Sequence, residues 1–216
     1  RLRGLVLTHP HGDHCGGAAS LLGALPVDTL YTSCAAHADT LFLALQRAFP
    51  AQPRRCLRAG DRLALGPRYA ATALWPDTTE TGPADGNALS LVLWAHGGEL
   101  PELLLMGDLE REEEASLVAR WNDALRAPRP GPRLLKAGHH GSSTSSSEPL
   151  LAAAACDVAV VSVGEHNRYR HPASSTLRAL TAHGALVLRT DRGGAVRFVV
   201  RGATLWCERP AAAPRV

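Results

Sequence analysis

The chain has 216 residues, 45% of them hydrophobic and 20% charged, with a formal net charge of +3. That balance excludes a disordered segment and fits one folded, soluble domain with a single core. The source of the charge points to base composition more than to a nucleic-acid surface: Lys136 is the one lysine among 23 basic residues. Arginine, alanine and leucine are enriched along the whole chain, as a GC-rich genome would produce, although a weakly positive face still suits a polyanionic substrate.

Taken in chain order, Leu2 to Leu7 reads as a buried strand that runs into His9-Pro10-His11-Gly12-Asp13-His14. Gly16-Gly17 opens a turn and Ala18 to Leu25 a short helix. Asp28 to Tyr31 is a strand, and Ala35 to Phe49 has helical spacing and stops at Pro50. Asp61 to Leu65 and Tyr69 to Trp75 are strands split by Gly66-Pro67; Trp75 to Gly86 is a polar loop. Leu89 to Ala95 and Glu102 to Met106 form a hairpin about His96-Gly97-Gly98. Glu110 to Leu125 is a helix whose acidic first turn (Glu110, Glu112, Glu113, Glu114) suits the helix dipole. Arg133 to Lys136 is a strand leading into Gly138-His139-His140-Gly141 and a serine-rich loop. Glu148 to Ala155 is helical, Asp157 to Val163 a strand, and Ser174 to His183 a helix. Leu186 to Thr190 and Ala195 to Val200 close the fold about Asp191-Arg192-Gly193-Gly194. Strands alternating with helices indicate a layered α/β architecture, and the tight turns indicate mixed or antiparallel sheets. No stretch approaches the roughly 20 apolar residues of a membrane-spanning helix. The five cysteines include no C-x-x-C pair. Cys34 and Cys56 are able to pair in an oxidising compartment, which spacing alone does not establish.

Imidazole nitrogen and carboxylate oxygen are the donors that zinc and similar ions favour, and the six-residue cluster holds three histidines and an aspartate. One loop cannot complete two metal sites, so further donors must come from the ends of other strands. Asp108 follows the apolar run Leu103 to Met106 and a glycine. A carboxylate there can bridge two cations about 3.5–4 Å apart, the spacing of two-metal hydrolysis; alternatively Asp108 is only the cap of the helix from Leu109 onward. His139 and His140 follow Leu134-Leu135-Lys136, and His171 follows the strand Val158 to Val161. A single loop histidine is simplest as polar surface, but donor residues at several strand ends together favour a metal centre. His37 and His183 read as surface and His96 as a turn residue. Cys15 reads as a packed neighbour of the loop.

The H-x-H-x-D-H spacing resembles the first metal motif of the metallo-β-lactamase fold. Leu134-Leu135-Lys136-Ala137-Gly138-His139-His140-Gly141-Ser142 resembles the "LKVGHHGS" signature of ComEC-type competence proteins. Asn87 to Leu93 resembles "NxxSLVL", Ser145 to Glu148 the "S-x-S" loop, Val160 to Pro172 "ISVGxxNxYGHP", and Arg189 to Gly194 "RTDxxG". The resemblance implies an αββα sandwich with mixed sheets over residues 1–209, followed by a disordered tail over 210–216. It implies two divalent ions, zinc or manganese, and a hydrolase that cleaves DNA, single-stranded by preference, during DNA uptake. One ion would be held by His9, His11 and a histidine of the His139-His140 pair, His140 by preference. The other would be held by Asp13, His14 and His171, with Asp108 shared. Asp13, Asp108 and His139 would be catalytic, and Lys136, Ser142, Thr144 and Asn167 would contact substrate. The implied partner is the membrane-embedded competence channel of a parent protein, and the implied location is the periplasmic side of an inner-membrane protein.

The chain departs from that pattern in three places. His11 stands where many of these proteins have aspartate. Arg170 replaces a glycine, which narrows the site or adds a phosphate contact. The chain opens directly on the strand feeding the metal loop, without the family's N-terminal strand hairpin, N-terminal domain or membrane helices, so a fragment of a longer protein is expected. Two other functions fit the same residues: hydrolysis of a small ester (a lactone, thioester or phosphorylcholine ester), and a non-catalytic DNA-handling module.

Overall fold

The computed structural model describes residues 1–36, 38–77, 86–201 and 204–208. Part of the expected polar loop (78–85), His37 and the expected disordered tail lie outside the described residues.

Two sheets carry the fold. The smaller is wholly parallel, in the order β1 (Leu5–Leu7), β2 (Leu30–Ser33), β3 (Arg54–Leu57). The larger is built from β4 (Arg62–Ala64), β5 (Ala70–Trp75), β6 (Val92–His96), β7 (Glu102–Leu105), β8 (Arg133–Lys136), β9 (Val158–Val161) and β10 (Leu186–Arg189). Its order is β10-β9-β8-β7-β6-β5-β4. The pairs from β4 to β7 are antiparallel and those from β7 to β10 parallel, so the sheet is mixed. A separate antiparallel ribbon joins β11 (Arg197–Arg201) to β12 (Thr204–Glu208).

The helices are α1 (Gly12–Cys15), α2 (Ala18–Ala24), α3 (Thr40–Ala48), α4 (Arg111–Arg126), α5 (Glu148–Ala154), α6 (Ser174–Ala182) and α7 (Thr190–Gly193). Alternation along the strands sorts the side chains into layers. In β7, Leu103 and Leu105 join Val6, Tyr31, Leu57, Ala71 and Leu93 in a core between the two sheets. Leu104 faces the other way, toward Leu117 and Leu125 of α4, Leu150 of α5 and Leu180 of α6. On the far side of the small sheet, Leu7 and Leu30 pack on Ala18, Leu22, Phe42 and Leu45 of α2 and α3. The result is the αββα sandwich.

Several elements differ from their expected form. Regular pairing in the first strand starts only at Leu5; Leu2 makes one isolated bridge to Val27, with Gly4 weakening the stretch between. The helix expected over Ala35–Phe49 breaks into a short turn at Cys34–Ala36 and α3, because Asp39 caps α3 by accepting from the Leu41 N–H at 2.7 Å. His96 is a strand residue paired with Ala70, not part of the turn; its ring stacks on Trp94 and lies 3.0 Å from Thr72 Oγ1. The two closing strands do not pair with each other. β10 pairs with β9, α7 intervenes, and β11 finds its partner in β12. β3 was not expected, since only Leu57 of its four residues is buried. A disulfide ties it to the end of β2 through Cys34 and Cys56.

Candidate metal centre

Every expected donor follows the C-terminal end of a strand that pairs in parallel, the side of an α/β sheet where ligands gather. His9 and His11 follow β1, and α1 presents Asp13 and His14 one turn on. Asp108 follows β7, His139 and His140 follow β8, and His171 lies beyond β9.

Local backbone geometry aims these side chains. Gly107 has φ +57°, and a Cβ there would meet Ser90 Cβ at 2.9 Å. That close approach lets the Asp108 N–H donate to Ser90 Oγ at 3.0 Å. Asp108 is not the cap of α4: that position belongs to Glu110, and Asp108 is freed to face the site. His139 and His140 both have left-handed backbone (φ 43° and 53°), a conformation costly for a side-chain-bearing residue and commonest at functional sites.

The donor atoms converge in two overlapping groups, His9 with His14 and Asp108, and Asp13 with His14 and His140. His14 Nε2 is 3.3 Å from Asp108 Oδ1 and 3.1 Å from His140 Nε2. His140 Nε2 is 3.3 Å from Asp13 Oδ2 and 3.4 Å from Asp108 Oδ2, and His9 Nε2 is 3.9 Å from Asp108 Oδ2. His140 thus stands with Asp13 and His14 rather than with His9 and His11. His11 packs edge-on against His9, with ring centroids 4.7 Å apart, and Gly86 makes room for it: a Cβ there would fall 2.3 Å from His11 Nε2. His171 lies farther along, 5.6 Å from the His139 ring. His11, Asp13, Asp108, His139, His140 and His171 all line one cavity of about 520 Å³, with Arg168 and Tyr169 beside them.

These groups fit a cation better than they fit one another. His9 Nε2 and Asp108 Oδ1 are buried without a hydrogen-bond partner, an expensive arrangement unless something positive lies between them. The outer nitrogens are satisfied in the manner of metal-binding imidazoles. His140 Nδ1 donates to the Ser162 carbonyl at 2.8 Å, and His9 Nδ1 lies 3.1 Å from Thr8 Oγ1 and 3.3 Å from Ser90 Oγ. Burial, together with the charge of His14, lowers the His9 pKa to about 3, so its ring is a neutral donor at physiological pH. Burial opposes ionisation of Asp108, but His14, Lys136 and His140 outweigh it and hold the carboxyl well below the usual range. The His171 pKa is lowered by burial and by the neighbouring His139 and His140.

The remaining expected residues are placed as follows. His139 Nδ1 donates to Glu110 Oε1 at 2.8 Å, which fixes its ring beside the cavity. Glu110 Oε1 also accepts from Thr144 Oγ1 at 2.7 Å. Ser142 is buried and bonded to Thr144 (2.9 Å between hydroxyl oxygens), so these two hold the loop around His139. Lys136 Nζ donates to the Ala137 carbonyl; burial lowers its pKa against the pull of Asp108 and Asp13. Asn167 accepts from the His171 N–H at 2.8 Å and donates to the Gly164 and His171 carbonyls, bracing the loop that carries His171. Ser90, Glu110, Arg168 and Tyr169 were not singled out from sequence. The "NxxSLVL" match contained Ser90, and the acidic turn of α4 contained Glu110, but neither signal tells that the side chain reaches a histidine.

A family model described as the metallo-beta-lactamase superfamily matches residues 1–166. The chain is 30% identical to ComE operon protein 3 of Bacillus subtilis (strain 168) over 213 residues, covering 92% of this chain and 24% of that protein. It is 32% identical to competence protein ComA of Neisseria gonorrhoeae over 207 residues, covering 92% of this chain and 25% of that one. The chain therefore spans about a quarter of the length of these curated relatives. Among solved structures, an isothiocyanate hydrolase from Delia radicum gut bacteria aligns with TM-score 0.51 and 18% identity, covering 87% of this chain and 74% of that one, a likeness of fold. With the sandwich, the donor-bearing strand ends and the matched residues agreeing, the chain belongs to the metallo-beta-lactamase superfamily of metal-dependent hydrolases.

Proposed function

We propose that this chain is a phosphodiesterase domain that cleaves DNA, single strands by preference, within a competence protein of the inner membrane. The observation that carries the reading is the pair of donor groups that overlap at His14, with Asp13, Asp108 and His140 lining one cavity. The names of the curated relatives support the competence role. The Cys34–Cys56 disulfide favours the oxidising, periplasmic side of the membrane. No helix among the described residues is long and apolar enough to cross a membrane, so the proposed competence channel would belong to other parts of a parent protein.

Two divalent ions, zinc or manganese, would be held among His9, His11, Asp13, His14, Asp108, His140 and His171. The nearest donors are those of His9, His14 and Asp108 and of Asp13, His14 and His140, and His14, with one nitrogen facing the site, would serve one ion. Bound there, they supply Lewis acidity toward a phosphoryl oxygen and lower the pKa of water. The protein's own residues do the rest. Asp108 turns Oδ1 toward His14 and Oδ2 toward His9 and His140, and Asp13 adds negative charge opposite His140. His139, held at Nδ1 by Glu110, keeps Nε2 for exchanging a proton with the leaving oxygen or with water. Lys136 supplies positive charge behind Asp108 and Asp13, while Ser142, Thr144 and Asn167 hold the loops that carry His139 and His171.

Metal analysis of the purified chain, with cleavage assays on single- and double-stranded DNA in zinc or manganese, tests this reading. We expect bound metal, metal-dependent cleavage, and loss of turnover in Asp108→Ala. A metal-loaded chain that hydrolyses a lactone or thioester but leaves DNA intact would overturn it.

A further inference from the structure

We propose that Tyr169 is a stacking platform for a nucleobase of single-stranded nucleic acid, seated beside the metal-binding cavity with Arg168 as its cationic flank. This rests on the nuclease reading above and names the part of the substrate that reading leaves open.

Tyr169 is 63% exposed, yet it lines the same cavity as His139, His140 and His171. Its ring runs nearly parallel to that of His171, at an interplanar angle of 16° with centroids 5.9 Å apart. The Arg168 guanidinium carbon lies over the ring, 5.0 Å from its centroid, and Arg168 Nη2 donates to the Tyr169 hydroxyl at 2.8 Å. The ring is therefore held in place but left open to solvent. The backbone holds it there: Asn167 bridges Gly164 to His171, and Arg170 takes a left-handed φ of 58° where a glycine would be easier. A strained, cross-braced loop that exposes an aromatic ring has a cost in the free protein, which a flat ligand would offset.

The chemistry of the surroundings selects the ligand. A ring at the mouth of a cation-binding cavity offers a π face to whatever flanks a phosphodiester bound there. Arg168, on the lining of the cavity, offers charge to the next phosphate. Bases of a single strand are free to stack in this way, and such stacking tolerates any sequence because each base has a π face. Paired bases in a duplex have no free face to give.

The test uses the whole 216-residue chain with zinc or manganese and phosphorothioate-linked oligonucleotides. Fluorescence anisotropy compares oligothymidine with an abasic strand of equal length. We expect Tyr169→Ala to weaken oligothymidine binding about tenfold, the loss of roughly one base stack, and to leave the abasic strand unchanged. Tyr169→Trp should restore the preference for bases. Equal affinity of wild type and Tyr169→Ala for oligothymidine would overturn the proposal. So would equal weakening on both strands, which would assign the ring to holding the loop. If the wild type cleaves DNA but Tyr169→Ala changes no base preference, this inference falls and the nuclease reading stands. If the wild type binds metal but neither binds nor cleaves either strand, both fall.

Discussion

Ser90 shows how one hydroxyl can set a donor's direction. It accepts from the Asp108 N–H and lies 3.3 Å from His9 Nδ1, so it links two residues of the same donor group. Outer partners of this kind are worth about 10- to 100-fold in metal affinity. We expect Ser90→Ala to weaken zinc binding by that factor, measured by competition with a chelating dye. His9 makes a second prediction. Its pKa is about 3 in the fold against 6.5 in an ordinary histidine, so below about 6.5 the unfolded chain binds the extra proton. Stability is thus lost as pH falls from about 6.5 toward 3. The depressed Asp108 carboxyl acts with the same sign at the acid end, since the folded state resists protonation there. Urea midpoints of the metal-free chain should drop between neutrality and about pH 5, and His9→Gln should flatten that drop. The cluster from His9 to His14 was legible in the sequence because its donors crowd into six residues. Ser90 was not, since it lies 81 residues from His9 and only the fold brings the two together.

Between elements, Glu114 does what no local pattern announces. Its place in the acidic first turn of α4 suggests no more than a favourable interaction with the helix dipole. Instead it is fully buried and accepts from the Ser146 and Ser147 N–H groups, each at 2.7 Å. Burial raises its pKa, while those hydrogen bonds pull the other way. Glu114→Ala leaves two buried N–H groups without acceptors and should cost about 3 kcal/mol, read from urea unfolding. Glu114→Gln, keeping one acceptor, should lose roughly half of that. Long elements with one apolar face were readable: α4, α6 and the strands of the larger sheet came within a residue or three of their expected ends. β3 was missed because Arg54 and Arg55 point outward and leave no alternation to find. The closing strands were misjoined because sequence order suggested a hairpin, whereas β10 completes the parallel run beside β9.

At the scale of the molecule, the four-layer order follows from two apolar faces on the large sheet and two on the small one, and the resemblance had already implied it. What no motif conveyed is how the donors divide between layers. His9, His11, Asp13 and His14 leave the small sheet through β1, while Asp108, His140 and His171 leave the large one through β7, β8 and β9. Each donor group takes members from both. An ion seated there is a rivet through two plates, fastening at one rim what the apolar core joins across the middle. Stripping it with a chelator should lower the melting temperature and speed amide exchange in β1 and β2 of the three-stranded sheet more than in β8 and β9, which are interior strands of the seven-stranded one. Equal exchange in all four strands, with and without chelator, would show plates that need no fastener. An ion held there would therefore also report on assembly, since its donors come from both plates.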